Sequence, residues 1–451
     1  MTHMKRAHQI VRLLMLLVLV TLHCEIPATF AQGVTFSINS NNWGRIVNSV
    51  AVADVTGSGK PNLISASMSP VGGPATLMAL TNNGSGVFGS NETLYVGIGF
   101  MCVVPEGVNG GGKPDLIFAS DYANTLMVVT NNGRGVFSSN ATYSVGSYPI
   151  YVLAADINGN GKPDLVCADW TASALTVLTN DGSGVFGSNA TYSVGSHPVC
   201  VLAVDVNGDG KPDLITANWN DNTLTVLTNN GSGVFGSNAT LEVGSNPNCV
   251  VAADFNGDGK PDLISANTGQ YPNYGNTLTV LTNDGIGGFG SNATLNVGSE
   301  PVRVVAADVN GDGKLDLVCA NEASNTLTVL TNNSIGGFGS NATLNVGSEP
   351  MCVVAADLNG DGKVDLVCGG FTGLTVLLNT TPFPPPSLSI VSGGDQVALS
   401  WPGWATNYVL ESTTNLSAPE WVAVTNGVPV ITGGIAWTNT SPTVFFRLHQ
   451  F

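Results

Sequence analysis

The chain has 451 residues, of which 43% are hydrophobic and only 10% charged, with 56 glycines and a formal net charge of −17. An acidic balance of this size argues against a nucleic-acid partner, whose phosphates it would repel. Beyond one short run near the start, no stretch approaches the ~20 consecutive apolar residues that a membrane span requires.

Lys5, Arg6 and Arg12 precede an apolar run from Leu13 to Leu22, and Thr29-Phe30-Ala31 offers small residues at a cleavage point. This pattern predicts a secretory signal peptide over residues 1–31, and hence a secreted, extracellular or cell-surface protein. Bulky His23 ahead of Cys24 argues against a lipid-anchored cysteine.

From Gly33 onward an internal repeat dominates the chain. Its nucleus is Asp205-Val206-Asn207-Gly208-Asp209-Gly210-Lys211-Pro212-Asp213. Side-chain oxygens fall at the first, third, fifth and ninth places, Lys211 offers its backbone carbonyl at the seventh, and Gly210 permits a sharp turn around one ion. Hard oxygen donors in this pattern favour calcium over zinc or copper. The motif recurs at Asp254, Asn256, Asp258, Lys260 and Asp262, at Asp308, Asn310, Asp312, Lys314 and Asp316, and at Asp357, Asn359, Asp361, Lys363 and Asp365. A fifth copy, Asp156, Asn158, Asn160 and Asp164, lacks the third carboxylate and predicts a weaker site. The copies beginning at Asp54 and Gly107 have lost most donors and predict a turn without an ion. An EF-hand is excluded, because its loop needs a Glu at the twelfth place and flanking helices, whereas Thr216, Ser265, Cys319 and Cys368 stand there.

The commonest repeat spacing is 49 residues, as between Asp156, Asp205 and Asp254. The longer gap before Asp308 is explained by the insert Gly269-Gln270-Tyr271-Pro272-Asn273. One unit parses into four short strands: Val199 to Val204, Leu214 to Ala217, Thr223 to Thr228 and Thr240 to Val243. Seven such units predict a β-propeller. The seventh copy stops after Leu374 to Leu378, and a spare strand, Val34 to Ile38, precedes the first copy. That strand is expected to complete the last blade and close the ring, removing exposed edges.

On these loops, on the Leu that follows the last loop Asp (Leu214, Leu263, Leu317, Leu366), and on the turn Gly233 to Gly236, the repeats resemble the FG-GAP/VCBS family. The resemblance spans roughly residues 33–380 and implies the seven-bladed propeller of integrin α-subunits, together with calcium. The chain departs from it in carrying Ser-Asn-Ala-Thr where Gly-Ala-Pro would follow the Phe-Gly, which is closer to the VCBS type.

A Pro-rich linker at 381–387 is expected to be stiff and extended. Residues 388–451 carry Trp401, Trp404, Trp421 and Trp437 among β-like runs such as Val397 to Ser400 and Tyr408 to Leu410. They predict a small β-sandwich of immunoglobulin or fibronectin type III character.

About half of the 31 acidic residues occupy loop ligand positions, so the charge reports ion binding more than a basic partner. Cys102, Cys200, Cys249 and Cys352 share one place in the first strands, and Cys167, Cys319 and Cys368 one place in the second, which reads as small apolar packing. Only Cys352 and Cys368 fall in one blade and could bond. The sequons at Asn140, Asn189, Asn238, Asn292 and Asn341 read equally as turn residues copied with the repeat.

Strand direction alternates within a blade, so the calcium loops share one ring face. The other face carries the positions where the copies differ most. Tyr148, His197, Asn246, Glu300 and Glu349 stand at one equivalent place, and Trp170, Trp219, Tyr271, Tyr274 and Phe371 lie in the loops between second and third strands. Aromatic rings mixed with carboxylates and amides are the materials of a sugar or peptide site. The competing reading is that Trp170 and Trp219 only cap the blade interfaces. No nucleophile elbow, zinc set or phosphate loop appears. The expectation is a non-catalytic, calcium-stabilised module for a glycan or an extracellular protein. The alternatives are a polysaccharide-acting lyase or hydrolase using Glu300, Glu349 and Arg303, and a structural surface or matrix protein.

Overall fold

The computed structural model describes residues 34–382, except 42–45, 69–74, 98 and 334, together with the strand segments 389–393, 396–400, 408–413, 422–423, 428–430, 434–438 and 445–450. The expected signal peptide, Cys24, most of the Pro-rich linker, and Trp401, Trp404 and Trp421 lie outside the described residues.

Asp213–Asn218 buries every one of its residues, as a strand does when both faces of its sheet are covered. It is the second of four antiparallel strands, Pro198–Val204, Asp213–Asn218, Thr223–Asn229 and Phe235–Glu242, paired in chain order. Six consecutive sheets follow this plan, over 46–97, 100–144, 149–193, 198–242, 247–296 and 301–345. We number them as blades one to six. In the seventh sheet, Pro350–Ala356, Asp365–Gly370 and Gly373–Asn379 are joined by Phe36–Asn41, which pairs antiparallel with Gly373–Asn379, Phe36 opposite Asn379. First strands of successive blades pack on one another around the ring, and Pro350–Ala356 meets Ile46–Ala53. The molecule is an all-β seven-bladed propeller with no helix among the described residues.

Two features of the repeat glue neighbouring blades. The second residue of each loop is an apolar plug, with Val206, Phe255, Val309 and Leu358 all at most 1% exposed. Each such burial contributes about 1.5–3 kcal/mol. The Asn that ends each third strand is a staple. Asn229 Nδ2 donates to the carbonyl of Ile157 in the preceding blade (2.7 Å) and to that of Pro212 in its own (2.9 Å). Asn131, Asn180, Asn283, Asn332 and Asn379 repeat the inter-blade bond, and Asn82 makes it to Leu358 at 2.6 Å, from blade one to blade seven.

The fourth strand begins earlier than expected, at Phe235 instead of Thr240. Phe235 is only 7% exposed, so burial of its ring turns the Gly-Val-Phe-Gly segment into a strand start. Val226 stands opposite Ala239 and Leu227 opposite Ser237, leaving Asn238 as a bulge. In blade five the insert extends a hairpin, with Gln270 opposite Asn273. Cys352 pairs with Gly369 and Cys368 with Val353, so the two thiols sit on opposite sheet faces, and both are free.

Towards the carboxy terminus, Ser389–Gly393, Gln396–Ser400, Val428–Val430 and Gly434–Thr438 form one sheet, and Tyr408–Thr413, Val422–Ala423 and Phe445–Gln450 another.

Candidate functional site

The calcium-type loops fold through their own donors. Asp205 accepts amide hydrogens from Gly208, Asp209 and Gly210 at 2.8, 3.2 and 2.7 Å, and Asn207 Oδ1 accepts one from Asp209 at 3.0 Å. Gly208 and Gly210 hold φ of +77° and +79°, which favours glycine at both. Asp213 is fully buried and accepts from Val206 (3.1 Å) and from Asn229 (2.8 Å), so the ninth place also anchors the inter-blade staple. The loops at Asp254, Asp308 and Asp357 repeat the first-place bonds. These carboxylates are occupied by loop amides, and no group of three or more His, Cys, Asp or Glu converges into a metal cluster among the described residues. Each amide bond leaves further lone pairs on its oxygen, so the donor set of three carboxylates, one amide oxygen and one carbonyl still suits a hard divalent cation. In the degenerate loop, Asp54 retains bonds from Ser58 and Gly59, and Lys113 of blade two lies 3.6 Å from its carboxylate.

On the opposite face, the backbone between blades is pinned in an unusual conformation. Tyr148, His197, Asn246, Glu300 and Glu349 all have positive φ, between 49° and 59°. For a non-glycine residue this costs of order 1–3 kcal/mol. Hydrogen bonds from the neighbouring blade compensate: Asn124 Oδ1 accepts from the Tyr148 amide, Asn222 from Asn246 and Asn325 from Glu349, each at 2.8 Å. The carbonyls of these residues then accept from the amide six places beyond the ninth loop position, as in Trp170 to Tyr148 and Trp219 to His197.

This scaffold surrounds a cavity of about 560 Å³ at the ring mouth, lined by Trp219, Tyr271, Tyr274, Glu300 and Glu322 above a floor that includes Asn48, Asn248, Val302 and Met351. Of the sequence candidates, Trp219, Tyr271, Tyr274 and Glu300 come together there, while Trp170, Tyr148, His197 and Glu349 are not among the lining residues. Trp170 lies against His197 (ring centroids 4.6 Å) and Trp219 (5.6 Å) with tilted rings, and packs, like Trp219, against the core. Trp170 thus packs at the blade interface beside His197 and Trp219, and Trp219 also lines the cavity. Tyr271 and Tyr274 project on the extended hairpin with rings 6.0 Å apart.

Glu322 is the site residue that the sequence reading missed. It occupies the same place as Trp170 and Trp219, the position after the second strand, where only aromatics had been noted. Burial first, then the charges of Glu300 and Glu349, push its carboxyl up to about 7. Glu300 is raised too, by burial and then by Glu349. Arg303 is one residue deeper than Val302, stacks over the Tyr151 ring at 5.2 Å and donates to its hydroxyl at 3.1 Å, so it is not a lining residue of the mouth.

The FG-GAP-like repeat family model matches residues 107–167, 156–216, 205–265, 254–319 and 308–368. The chain belongs to the FG-GAP-like repeat family. Among solved structures, the FG-GAP chain is similar to BBS1N in its complex with ARL6DN, soaked with lead, at 11% identity and a TM-score of 0.55, covering 78% of this chain and 97% of that one. It is also similar to a protein from Lactobacillus plantarum at 15% identity and a TM-score of 0.54, covering 68% and 86%. At these identities the likeness extends to the fold alone. No curated protein sequence matches the FG-GAP chain significantly. No helix among its described residues is long and apolar enough to cross a membrane.

Proposed function

We propose that this FG-GAP propeller is a secreted, calcium-stabilised, non-catalytic module that binds a glycan or an extracellular protein at the ring mouth. The observation that carries the reading is the 560 Å³ cavity in which Trp219, Tyr271 and Tyr274 stand beside Glu300 and Glu322. Aromatic faces supply apolar contact, and carboxylates fix hydroxyl or amine groups. Calcium would be held at the loops beginning Asp205, Asp254, Asp308 and Asp357, and more weakly at Asp156, where it balances clustered carboxylates. Ring closure by the amino-terminal strand, and a carboxy-terminal β-sandwich serving attachment, complete the proposal. The test is a binding screen of the calcium-loaded protein against a broad glycan panel and candidate extracellular proteins. A ligand lost in Tyr271→Ala/Tyr274→Ala, with an unchanged melting curve, supports the site. Binding indifferent to both substitutions overturns it.

A second reading, an enzyme acting on a polysaccharide, is favoured by one observation: Glu322 is pushed up to about 7 beside Glu300, which suits proton transfer near neutrality. Turnover of a bound glycan, abolished in Glu322→Gln, would select it over binding alone.

A further inference from the structure

Among the described residues, every charged side chain that lines the mouth is an acid: Glu300 and Glu322 line it, and no Lys, Arg or His does. The backbone sets the two side by side. The Glu300 amide donates to the carbonyl of Gly275 (2.7 Å), next to Tyr274 on the extended hairpin, and the Glu322 amide donates to the carbonyl of Glu300 (2.8 Å). Neither carboxylate takes part in an ion pair among the described residues. Negative charge therefore accumulates at one place. Burial, then Glu300 and Glu349, raise the Glu322 carboxyl, and desolvation, then Glu300, Tyr271, Glu322 and Glu349, raise the Tyr274 hydroxyl. Arg303, below the floor, is engaged with the Tyr151 ring and hydroxyl instead.

The rings beside these acids are open to a ligand. Tyr271 is 78% exposed and Tyr274 41%, and Trp219 lines the same cavity. Aromatic faces attract a cation through the ring quadrupole and also give flat apolar contact. At the floor, Asn48 Oδ1 is buried with no hydrogen-bond partner among the described residues. A buried acceptor of this kind calls for a donor, which a ligand hydroxyl supplies. Separate open rings above a hydroxyl acceptor suit the ring units of a saccharide better than the single stem of a lysine.

We propose that the mouth selects a cationic saccharide, one whose hexose units carry free, protonated amino groups. The proposal rests on the reading of the mouth as a binding site and names the ligand class that its charge favours. The ammonium group is held by Glu300 and Glu322 beside the faces of Tyr274 and Trp219, and a hydroxyl donates to Asn48 Oδ1. Saccharides that carry carboxylates or sulfates are repelled by the same two acids, and N-acetylation of the amine removes the charge on which selection depends.

The test is calorimetric titration of the full-length chain, loaded with calcium, with a β-linked glucosamine tetramer and with its fully N-acetylated counterpart. The amine form is expected to bind about tenfold tighter, the worth of one charge-assisted contact, and that advantage is expected to shrink as salt is raised. Glu300→Gln/Glu322→Gln is expected to bring the amine form down to the level of the acetylated one with an unchanged melting curve. Should the double variant melt early, Glu322→Gln alone is expected to lose part of the preference. Tyr271→Ala/Tyr274→Ala is expected to weaken both tetramers. Equal or tighter binding of the acetylated form, still lost with the two tyrosines, would overturn the charge selection and leave the mouth as the site. Binding of the amine form that ignores the tyrosines would overturn both readings. Failure of both tetramers to bind would overturn the saccharide assignment, and an oligolysine that binds instead and is lost in the Gln variants would pass the site to a basic protein.

Discussion

On the loop face of the ring, places one, three, five and nine are Asp, Asn, Asp and Asp in each of blades four to seven. On the mouth face, the residue six places beyond the ninth loop position is Trp, Trp, Thr, Glu and Phe from blade three to blade seven. The difference follows from what holds each face. At the loops the side chains do the holding: Asp205 gathers three loop amides, Asp213 fixes Val206 and Asn229, and Asn229 clips the preceding blade. At the mouth the variable side chains do not: Trp170, Trp219, Thr268 and Glu322 all donate their amides to the same carbonyl position whatever their side chains, while Asn124, Asn222 and Asn325 pin the residues that carry those carbonyls or their equivalents. A face held without them leaves those side chains free to diversify, and there recognition can be built without disturbing the ring.

The largest way to break this contrast is to remove the proposed cation from the loops. A ligand bound only by the folded state stabilises by RT ln(1 + [L]/Kd), about 1 kcal/mol per site at calcium a few-fold above Kd, so four good loops together supply about 4 kcal/mol. Chelation is expected to lower the melting temperature clearly, and readdition of calcium to restore it. An identical melt in both samples would mean that amide bonds alone hold the loops.

Next in size is Asp213→Ala, which leaves the buried Val206 and Asn229 amides without their acceptor. With each unsatisfied group costing ~1–3 kcal/mol, a loss of about 3 kcal/mol is expected in urea denaturation. Trp170→Thr, at a backbone-held position, is expected to cost less than that, by an amount set by its lost packing. Equal losses would erase the distinction between the faces.

Much of this was legible in the sequence, and the omissions have physical causes. The loops declared themselves because the same Asp, Asn and Gly places recur at a fixed spacing, and that spacing counted the blades. Asn229 was opaque because Asn ahead of Asn-Gly reads as a local turn, whereas its amide bonds a residue 72 positions earlier. Phe235 was read as turn because its burial depends on the neighbouring blade. Glu322 is not announced by the sequence because it stands at a place filled by Trp or Phe in other blades, and only the register brings it to the mouth. The axial pairing of Arg303 with Tyr151 joins blades 152 residues apart, and no local pattern foretells it.

The mouth responds to pH through Glu322. Its carboxyl is raised to about 7 from an ordinary 4.5, by burial first and then by Glu300 and Glu349. The folded state therefore holds its proton more tightly than the unfolded chain between those values, so stability falls as pH rises from about 4.5 to about 7 and is flat above. Glu322→Gln is expected to shrink that limb of the melting-temperature profile, leaving the part contributed by Asp316, which burial also raises to about 7. Glu349→Gln, which removes only the more remote charge, is expected to shift the limb slightly to lower pH. A profile unchanged in Glu322→Gln would place the titrating group elsewhere.

The smallest effect is expected where the loop face has lost its carboxylates. In the blade-one loop, Asp54 has Lys113 of blade two 3.6 Å away, with side chains 27% and 35% exposed, so solvent screens the pair. Exposed pairs of this kind contribute about 0–1 kcal/mol, and Asp54 keeps its amides from Ser58 and Gly59 when the lysine goes. Lys113→Met should then lower stability by about 0.5 kcal/mol or less in urea, with no change in calcium response. A loss of several kcal/mol would mean that a lone carboxylate in this turn already needs a cation. The degenerate loops would then be lysine-filled versions of the calcium loops, and the contrast between early and late blades would be one of cation identity instead of cation need.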